Sequence, residues 1–187
     1  RVLCGPYFFN AAGPRMIENF LDVAHFPYVH ENILGTRERP EIQPYEVTVD
    51  ENGVCAHDIK VYQPNPDGTG EGKDVSYTYH AFRPLIAYFR KKTEGPQFAM
   101  FMAVNPMSEQ ESNMLVWMVM NHSYDASEAD LVAFQDEISY QDVPIVESQR
   151  PELLPLDLQA ELHLRSDKTA IAYRKWLNDM GLSFGTE

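Results

Sequence analysis

The chain contains six histidines, and only His25 and His30 lie close together in sequence. Imidazole is the commonest metal ligand among side chains. Five residues apart, the two would sit about 140° from one another on a regular helix and would not converge. Pro27 lies between them, and a break there turns His30 back towards His25, giving half of a metal site. Two unrelated histidines are the alternative. Asp22 precedes His25 by three residues, on the same side of a helix, with Asn19 three residues further back. An acid at that spacing is either solvated or a carboxylate that orients the His25 ring.

A third candidate ligand comes from far along the chain. Ser127 with Asp130 reads as a helix start with a box-like partner. The helix that follows runs to about residue 142, with Pro144 marking a kink or a restart. Its apolar stripe is Leu131, Phe134, Ile138 and Ile145, and the position on that stripe between the two isoleucines is Asp142. A carboxylate facing a core must be paired, protonated or bound to metal. Two imidazoles and a carboxylate leave coordination positions open on a non-haem Fe(II). The same set suits catalytic zinc with a bound water.

The elements that must position these groups are legible in outline. Residues 15–25 place Met16, Ile17, Phe20, Leu21 and Ala24 at helical spacing, with Pro14 at the start and Pro27 as the breaker. Residues 31–44 are polar and read as a loop. Residues 45–50 alternate, Asn52-Gly53 follows, and 54–62 returns, which is a hairpin signal. A polar Pro/Gly-rich loop covers 63–75 and reads as mobile. Segments 76–82, 85–91, 97–105 and 113–123 read as strands. The last two are apolar on both faces, as in central strands covered on both sides. A final helix is capped by Ser166 and stops at Gly181. A helix, a run of strands and then helices describe an α+β domain with an antiparallel sheet.

Composition limits the partners. The 187 residues suit one domain, and 15 basic against 28 acidic residues give a net charge of −13. So negative a surface repels nucleic acid and anionic membranes alike. No apolar run reaches spanning length and no signal peptide is visible, which points to a cytoplasmic protein. Cys4 and Cys55 make no disulfide framework and cannot ligate an iron–sulfur cluster alone. Met100 and Met102, with Phe98 and Trp117, suit an apolar pocket, core packing being the alternative. Asn105 and His122 end apolar strands, where they would either hydrogen-bond a substrate or simply meet solvent. Arg83, Arg90, Lys91 and Lys92 form a basic cluster that reads as a solvated face, docking of an acidic partner domain or a carboxylate substrate being the alternative.

At these residues the sequence resembles a known family. ENFLDVAHFPYVH at 18–30 is similar to the mononuclear-iron motif of Rieske non-haem iron oxygenases, Asn-x-x-Asp-x-x-His-x-x-x-x-His, with Asn19, Asp22, His25 and His30 in its fixed places. YQDVPIVESQRP at 140–151 resembles the segment carrying the carboxylate ligand, which falls on Asp142. Residues 156–177 are similar to the C-terminal end of the vanillate O-demethylase and phenoxybenzoate oxygenase branch. The resemblance implies a helix-grip (Bet v1-like) fold, a curved antiparallel sheet around a pocket closed by helices. It implies that residues 1–187 are the catalytic domain, with Fe(II) on His25, His30 and Asp142 and O₂ as co-substrate. An aromatic small molecule, a methoxy- or phenoxy-benzoate, would be hydroxylated or O-demethylated. Asp22 would pass electrons from a Rieske [2Fe–2S] cluster in a neighbouring subunit of a homotrimer, fed by a reductase or ferredoxin, and Asn19 would lie near the iron. The Cys-x-His and Cys-x-x-His pairs of a Rieske domain do not occur in this chain, which implies an excised catalytic half or a member lacking its own cluster. A helix-grip domain that binds an apolar ligand without catalysis, and a zinc hydrolase, are the alternative readings.

Overall fold

The computed structural model describes the chain except residues 67, 68, 94 and 124. Residues 67 and 68 of the loop expected to be mobile, and Tyr124 of the turn after His122, lie outside the described residues. Seven antiparallel strands form one curved sheet. They are β1 (Val2–Phe9), β2 (Glu46–Asp50), β3 (Gly53–Gln63), β4 (Lys73–Arg83), β5 (Ile86–Lys92), β6 (Gln97–Ser108) and β7 (Glu111–Met120), in the order β1-β7-β6-β5-β4-β3-β2. Helices α1 (Gly13–Leu21) and α2 (Phe26–Val29) follow β1, while α3 (Glu128–Glu147) and α4 (Lys168–Asp179) follow β7. The α+β class and the helix-grip arrangement are as the sequence and its resemblance imply. Among the described residues, no helix is long and apolar enough to cross a membrane.

Strands β2 to β7 are each hydrogen-bonded to their neighbours in sequence. The Asn52-Gly53 turn starts this meander. Gly53 has φ +119°, and a Cβ on it would collide with the Ala81 carbonyl oxygen, so only glycine fits. Strand β1 has no counterpart among the sequence-based expectations. Its pairing with β7 shifts register between Cys4 and Tyr7, where Gly5-Pro6 would otherwise interrupt the ladder.

The inner face of the sheet is a single core: Val54, Tyr79, Ala87, Met102, Val116 and Cys4 are buried, covered by Ile17 and Leu21 of α1 and Tyr173 and Leu177 of α4. The expectation that β6 and β7 are covered on both faces is corrected. Leu115, Trp117 and Val119 of β7 are exposed on the outer face, because the helices all lie on the inner side. Two helix limits are also corrected. Helix α3 does not end at about residue 142 or restart after Pro144 but runs through this proline to Glu147. Ser166 lies inside a 3-10 turn (Arg165–Asp167), and the Asp167 carboxylate accepts from the Leu164 amide at 2.8 Å.

Arg15 and Glu18 of α1, Arg174 of α4 and Glu161 from the intervening segment form a four-charge cluster. The guanidinium groups are the buried members, Arg15 at 3% and Arg174 at 3% exposure. Arg174 donates to Glu18 Oε1 at 2.6 Å and to the Pro155 carbonyl at 3.1 Å. Removing Arg174 would leave Glu18 and Glu161 sharing Arg15 alone, with one negative charge uncompensated. Arg174→Met should lower the unfolding free energy by about 3 kcal/mol, measured as a lower urea midpoint at unchanged slope. An unchanged midpoint would show that the cluster is dispensable.

Candidate metal centre and pocket

The two histidines owe their placement to an early helix end. Helix α1 stops at Leu21, and Asp22 is extended (φ −85°, ψ 136°). Its Oδ1 accepts from the Ala24 amide at 2.8 Å and its Oδ2 from the His25 amide at 3.0 Å. A short acidic side chain that captures nearby amides offers the backbone an alternative to the helical ladder. The expected break at Pro27 is thus corrected. The break is at Asp22, and Pro27 sits in the first turn of α2, where its missing N–H is harmless. His25 and His30 flank this single turn as its N-cap and C-cap, with ring centroids 5.0 Å apart.

Helix α3 brings the carboxylate. Ser127 caps it, accepting from the Asp130 amide at 3.1 Å. Its middle is tied to β1 by Tyr7, whose hydroxyl donates to Asp136 Oδ1 at 2.6 Å. The expected apolar stripe is borne out in part: Leu131, Phe134 and Ile138 line the same cavity as Asp142, while the fully buried positions lie beside them. Phe134 is 50% exposed and Ile145 39%, whereas the buried line is Gln135, Ser139 and Val146, with Asp142 on it. Asp142 Oδ1 lies 3.2 Å from His30 Nε2 and 3.6 Å from His25 Nε2. One donor atom from each of the three residues falls within a 4.8 Å group.

Each imidazole is held at its far nitrogen. His25 Nδ1 is 2.9 Å from Asp22 Oδ2, and His30 Nδ1 is 2.7 Å from Gln141 Oε1. With both Nδ1 atoms donating, both Nε2 lone pairs face Asp142. Asp142 Oδ1 is buried and accepts no hydrogen bond, although two ring nitrogens stand close by. A buried carboxylate oxygen without a hydrogen-bond donor, facing two imidazole nitrogens, suits a divalent cation. The residues therefore fit a metal of the two-histidine, one-carboxylate type.

Burial disfavours charge on His25, but the Asp22 hydrogen bond and the charges of Asp22 and Asp142 outweigh it and raise its pKa above 6.5. Burial also pushes the Asp22 carboxyl up, but His25 and the two backbone amides more than offset this and hold it below 3.8.

The triad opens into a cavity of about 390 Å³. One wall is aromatic, with Phe20, Phe26, Tyr77, Tyr79 and Phe89 in edge-to-face and tilted contacts. On the adjoining strands β6 and β7 the lining becomes methionine-rich, with Met100, Met102, Met114 and Met118. His122 lies at its edge, bonded to the Ser123 hydroxyl at 2.7 Å. Asn105 and Trp117 are corrections. Asn105 is exposed towards the end of β6, and Trp117 faces outward beneath the Arg1 guanidinium, because side chains alternate along a strand. Lys91 is a third: it borders the cavity, and its ammonium donates to Gln63 Oε1 at 3.3 Å and to the Pro66 carbonyl at 3.0 Å. Sequence reasoning missed the polar groups set into this cavity. Gln63 donates to the Tyr77 hydroxyl at 2.8 Å, and Gln135 donates to Ser139 at 3.0 Å, both buried. A second, more polar cavity of about 360 Å³ lies beyond His25, bordered by Asn19, Asp22 and His163. Asn19 and His25 border both cavities.

A family model for the vanillate O-demethylase oxygenase C-terminal domain matches residues 9–182. The probable methylxanthine N7-demethylase NdmC of Pseudomonas sp. (strain TJI-51) is 35% identical over 182 residues, covering 94% of this chain and 64% of that protein. The methylxanthine N1-demethylase NdmA of Pseudomonas putida is 29% identical over 187 residues, covering 96% of this chain and 50% of that protein. The chain thus spans between half and about two-thirds of the length of these curated relatives. The structure of Pseudomonas putida NdmA with caffeine superposes with a TM-score of 0.74 at 24% identity, over 96% of this chain and 51% of that one. Dicamba monooxygenase bound to 3,6-dichlorosalicylic acid gives 0.67 at 14% identity, over 95% and 57%. These two structural likenesses are likenesses of fold.

The titration of the Asp22–His25 pair has a measurable consequence in chelator-treated protein. The raised His25 pKa stabilises the fold below 6.5, and that contribution is lost as the pH rises through the raised value. The lowered Asp22 pKa stabilises it above 3.8, and that contribution is lost as the pH falls through the depressed value. Asp22→Asn should therefore cost most stability at about pH 5 and progressively less towards alkaline pH. Urea midpoints of both proteins across that range provide the measurement, and a pH-independent difference would sink the coupling.

Proposed function

The chain belongs to the vanillate O-demethylase oxygenase C-terminal domain family, the catalytic domain of Rieske non-haem iron oxygenases, and from that premise we propose that it holds iron on His25, His30 and Asp142 and removes a methyl group from a flat methylated aromatic or heteroaromatic compound. The observation that carries this reading is Asp142 Oδ1, buried without a hydrogen-bond donor and facing two imidazole nitrogens beside an apolar cavity. A carrier of apolar ligands has no use for that oxygen. A zinc hydrolase accepts the same three donors, and it is the family that selects iron.

Iron bound there supplies the activation of O₂, for which side chains have no equivalent. The other tasks fall to the chain. Asp22 and Gln141 hold the two imidazoles by their Nδ1 atoms, so the Nε2 atoms stay available. The aromatic and methionine walls bind a planar ring and keep bulk water out. Tyr77, whose phenol burial keeps protonated, and the Gln135–Ser139 pair give polar contacts to ring substituents or heteroatoms. In the overall reaction one oxygen atom enters the methyl C–H bond and the other leaves as water, with two electrons and two protons consumed. The resulting hydroxymethyl group, on oxygen or nitrogen, collapses to formaldehyde and the demethylated ring.

The electrons come from a Rieske [2Fe–2S] cluster on a domain that these residues do not include, in the same or a neighbouring subunit of a homotrimer, reduced by a reductase or ferredoxin. Asp22 suits the entry point, since it contacts His25 and borders the second cavity, and Asn19 lies between the two cavities. The family's name points to an O-methyl substrate and those of NdmC and NdmA to N-methyl xanthines. Both are flat methylated rings.

Anaerobic Fe(II) titration followed by nitric oxide should give a stoichiometric high-spin iron–nitrosyl EPR signal, absent in Asp142→Ala. Addition of caffeine or vanillate should reshape that signal for the preferred ring class. A folded protein giving no signal, or Asp142→Ala giving an undiminished one, would overturn the metal assignment.

A further inference from the structure

Gln141 stands next to Asp142 in sequence but does a different job. Its Oε1 lies 2.7 Å from His30 Nδ1, and His30 is 1% exposed. We propose that Gln141 is a positioning residue that fixes the Nδ1–H tautomer of His30 and so keeps the Nε2 lone pair directed at the metal. The inference rests on the metal-centre reading for its purpose, though its geometry does not.

The two imidazoles are backed unequally. His25 has a carboxylate, Asp22, behind it, and His30 has a neutral amide. A carboxylate behind a histidine strengthens the ring as a donor and adds negative charge, whereas an amide oxygen sets orientation and tautomer without charge. Because metal ligands bind in their deprotonated forms, two carboxylates and two imidazoles would bring two negative charges to the site, which match a divalent cation. A second backing carboxylate would leave a net negative charge in a partly buried site, which is disfavoured. The opposite tautomer of His30 has little to recommend it. A proton on Nε2 would point towards Asp142 Oδ1 at 3.2 Å, yet that oxygen accepts no hydrogen bond from either ring in this geometry. The Nδ1 proton, in contrast, has an acceptor at a short distance.

The location on α3 matters as well. Consecutive residues on a helix point about 100° apart, so residues 141 and 142 reach opposite ends of the same imidazole, one its Nδ1 and the other its Nε2. A single turn of α3 therefore delivers both the ligand and the group that orients its neighbour. Any small rotation of α3 moves both together.

Histidine-selective ¹⁵N NMR of the chelator-treated protein at pH 8.5 tests this directly, alongside Co(II) affinity measured by optical titration. Wild type should show His30 as a single Nδ1–H tautomer. Gln141→Leu keeps a good helix former but removes the acceptor. It should show a mixture of tautomers and about 10–100-fold weaker Co(II) binding. Gln141→Met, nearly the same shape, should behave alike and serves if the leucine variant does not fold. Gln141→Glu retains an acceptor and should keep the Nδ1–H form. An Nε2–H tautomer in wild type, or an unchanged tautomer and affinity in both apolar variants, would overturn the proposal. A wild-type protein that binds no divalent metal would overturn the metal-centre reading instead, while the tautomers would still decide the role of Gln141.

Discussion

Asp142 Oδ1 lies 3.2 and 3.6 Å from two imidazole nitrogens, is buried, and receives no hydrogen bond. Burying a carboxylate oxygen without a hydrogen-bond donor is unfavourable, so the surrounding structure must hold it there. Three separate constraints do so. The Ser127 cap starts α3, the Tyr7–Asp136 bond ties it to β1, and the His30–Gln141 bond ties it to the loop that carries the histidines. The helix itself is poor at burying a face. Its inward line carries Gln135 and Ser139 beside Val146, while Phe134 and Ile145 stay exposed. Hydrogen bonds therefore add to the packing of Leu131, Val132, Val143 and Val146 in locating this helix.

On the other side of the site one residue carries several roles. Asp22 terminates α1, builds the turn that follows by accepting from two amides, and backs the His25 ring. If the helix continued, His25 and His30 would point apart. Because it stops, their rings come within 5.0 Å. The local backbone conformation and the ligand geometry thus share one cause. The ion cluster of Arg15, Glu18, Glu161 and Arg174 anchors the same helix from its outer side, so α1 is fixed before Asp22 ends it.

Much of this was legible in the residues, and what was not has identifiable reasons. The hairpin around Gly53 follows from its Asn-Gly turn and flanking alternation, and α1 from its apolar spacing. Asp142 stood out because an acid among apolar neighbours needs an explanation, and most of the stripe used to find it, Leu131, Phe134 and Ile138, does face the cavity, although Ile145 is exposed. Strand β1 was hidden by Gly5-Pro6, which breaks a strand pattern unless an irregularity absorbs it. Trp117 was misplaced because alternation gives two faces without saying which is inside. Gln141 carried no signal, since a glutamine beside an acid on a helix is usually solvated. Its role depends on a contact across 111 residues.

The sheet order has a kinetic corollary. Strands β2 to β7 pair with sequence neighbours, and such contacts close small loops and form early. The pairing of β1 with β7 joins the ends of the sheet's sequence, closing a loop of more than a hundred residues. The histidines hang from the chain just after β1 and Asp142 from the chain just after β7. A folding intermediate with the meander complete and β1 undocked would contain every strand of the cavity's methionine wall and no place for a cation. Metal capture at the proposed centre would therefore report the long-range closure of the chain.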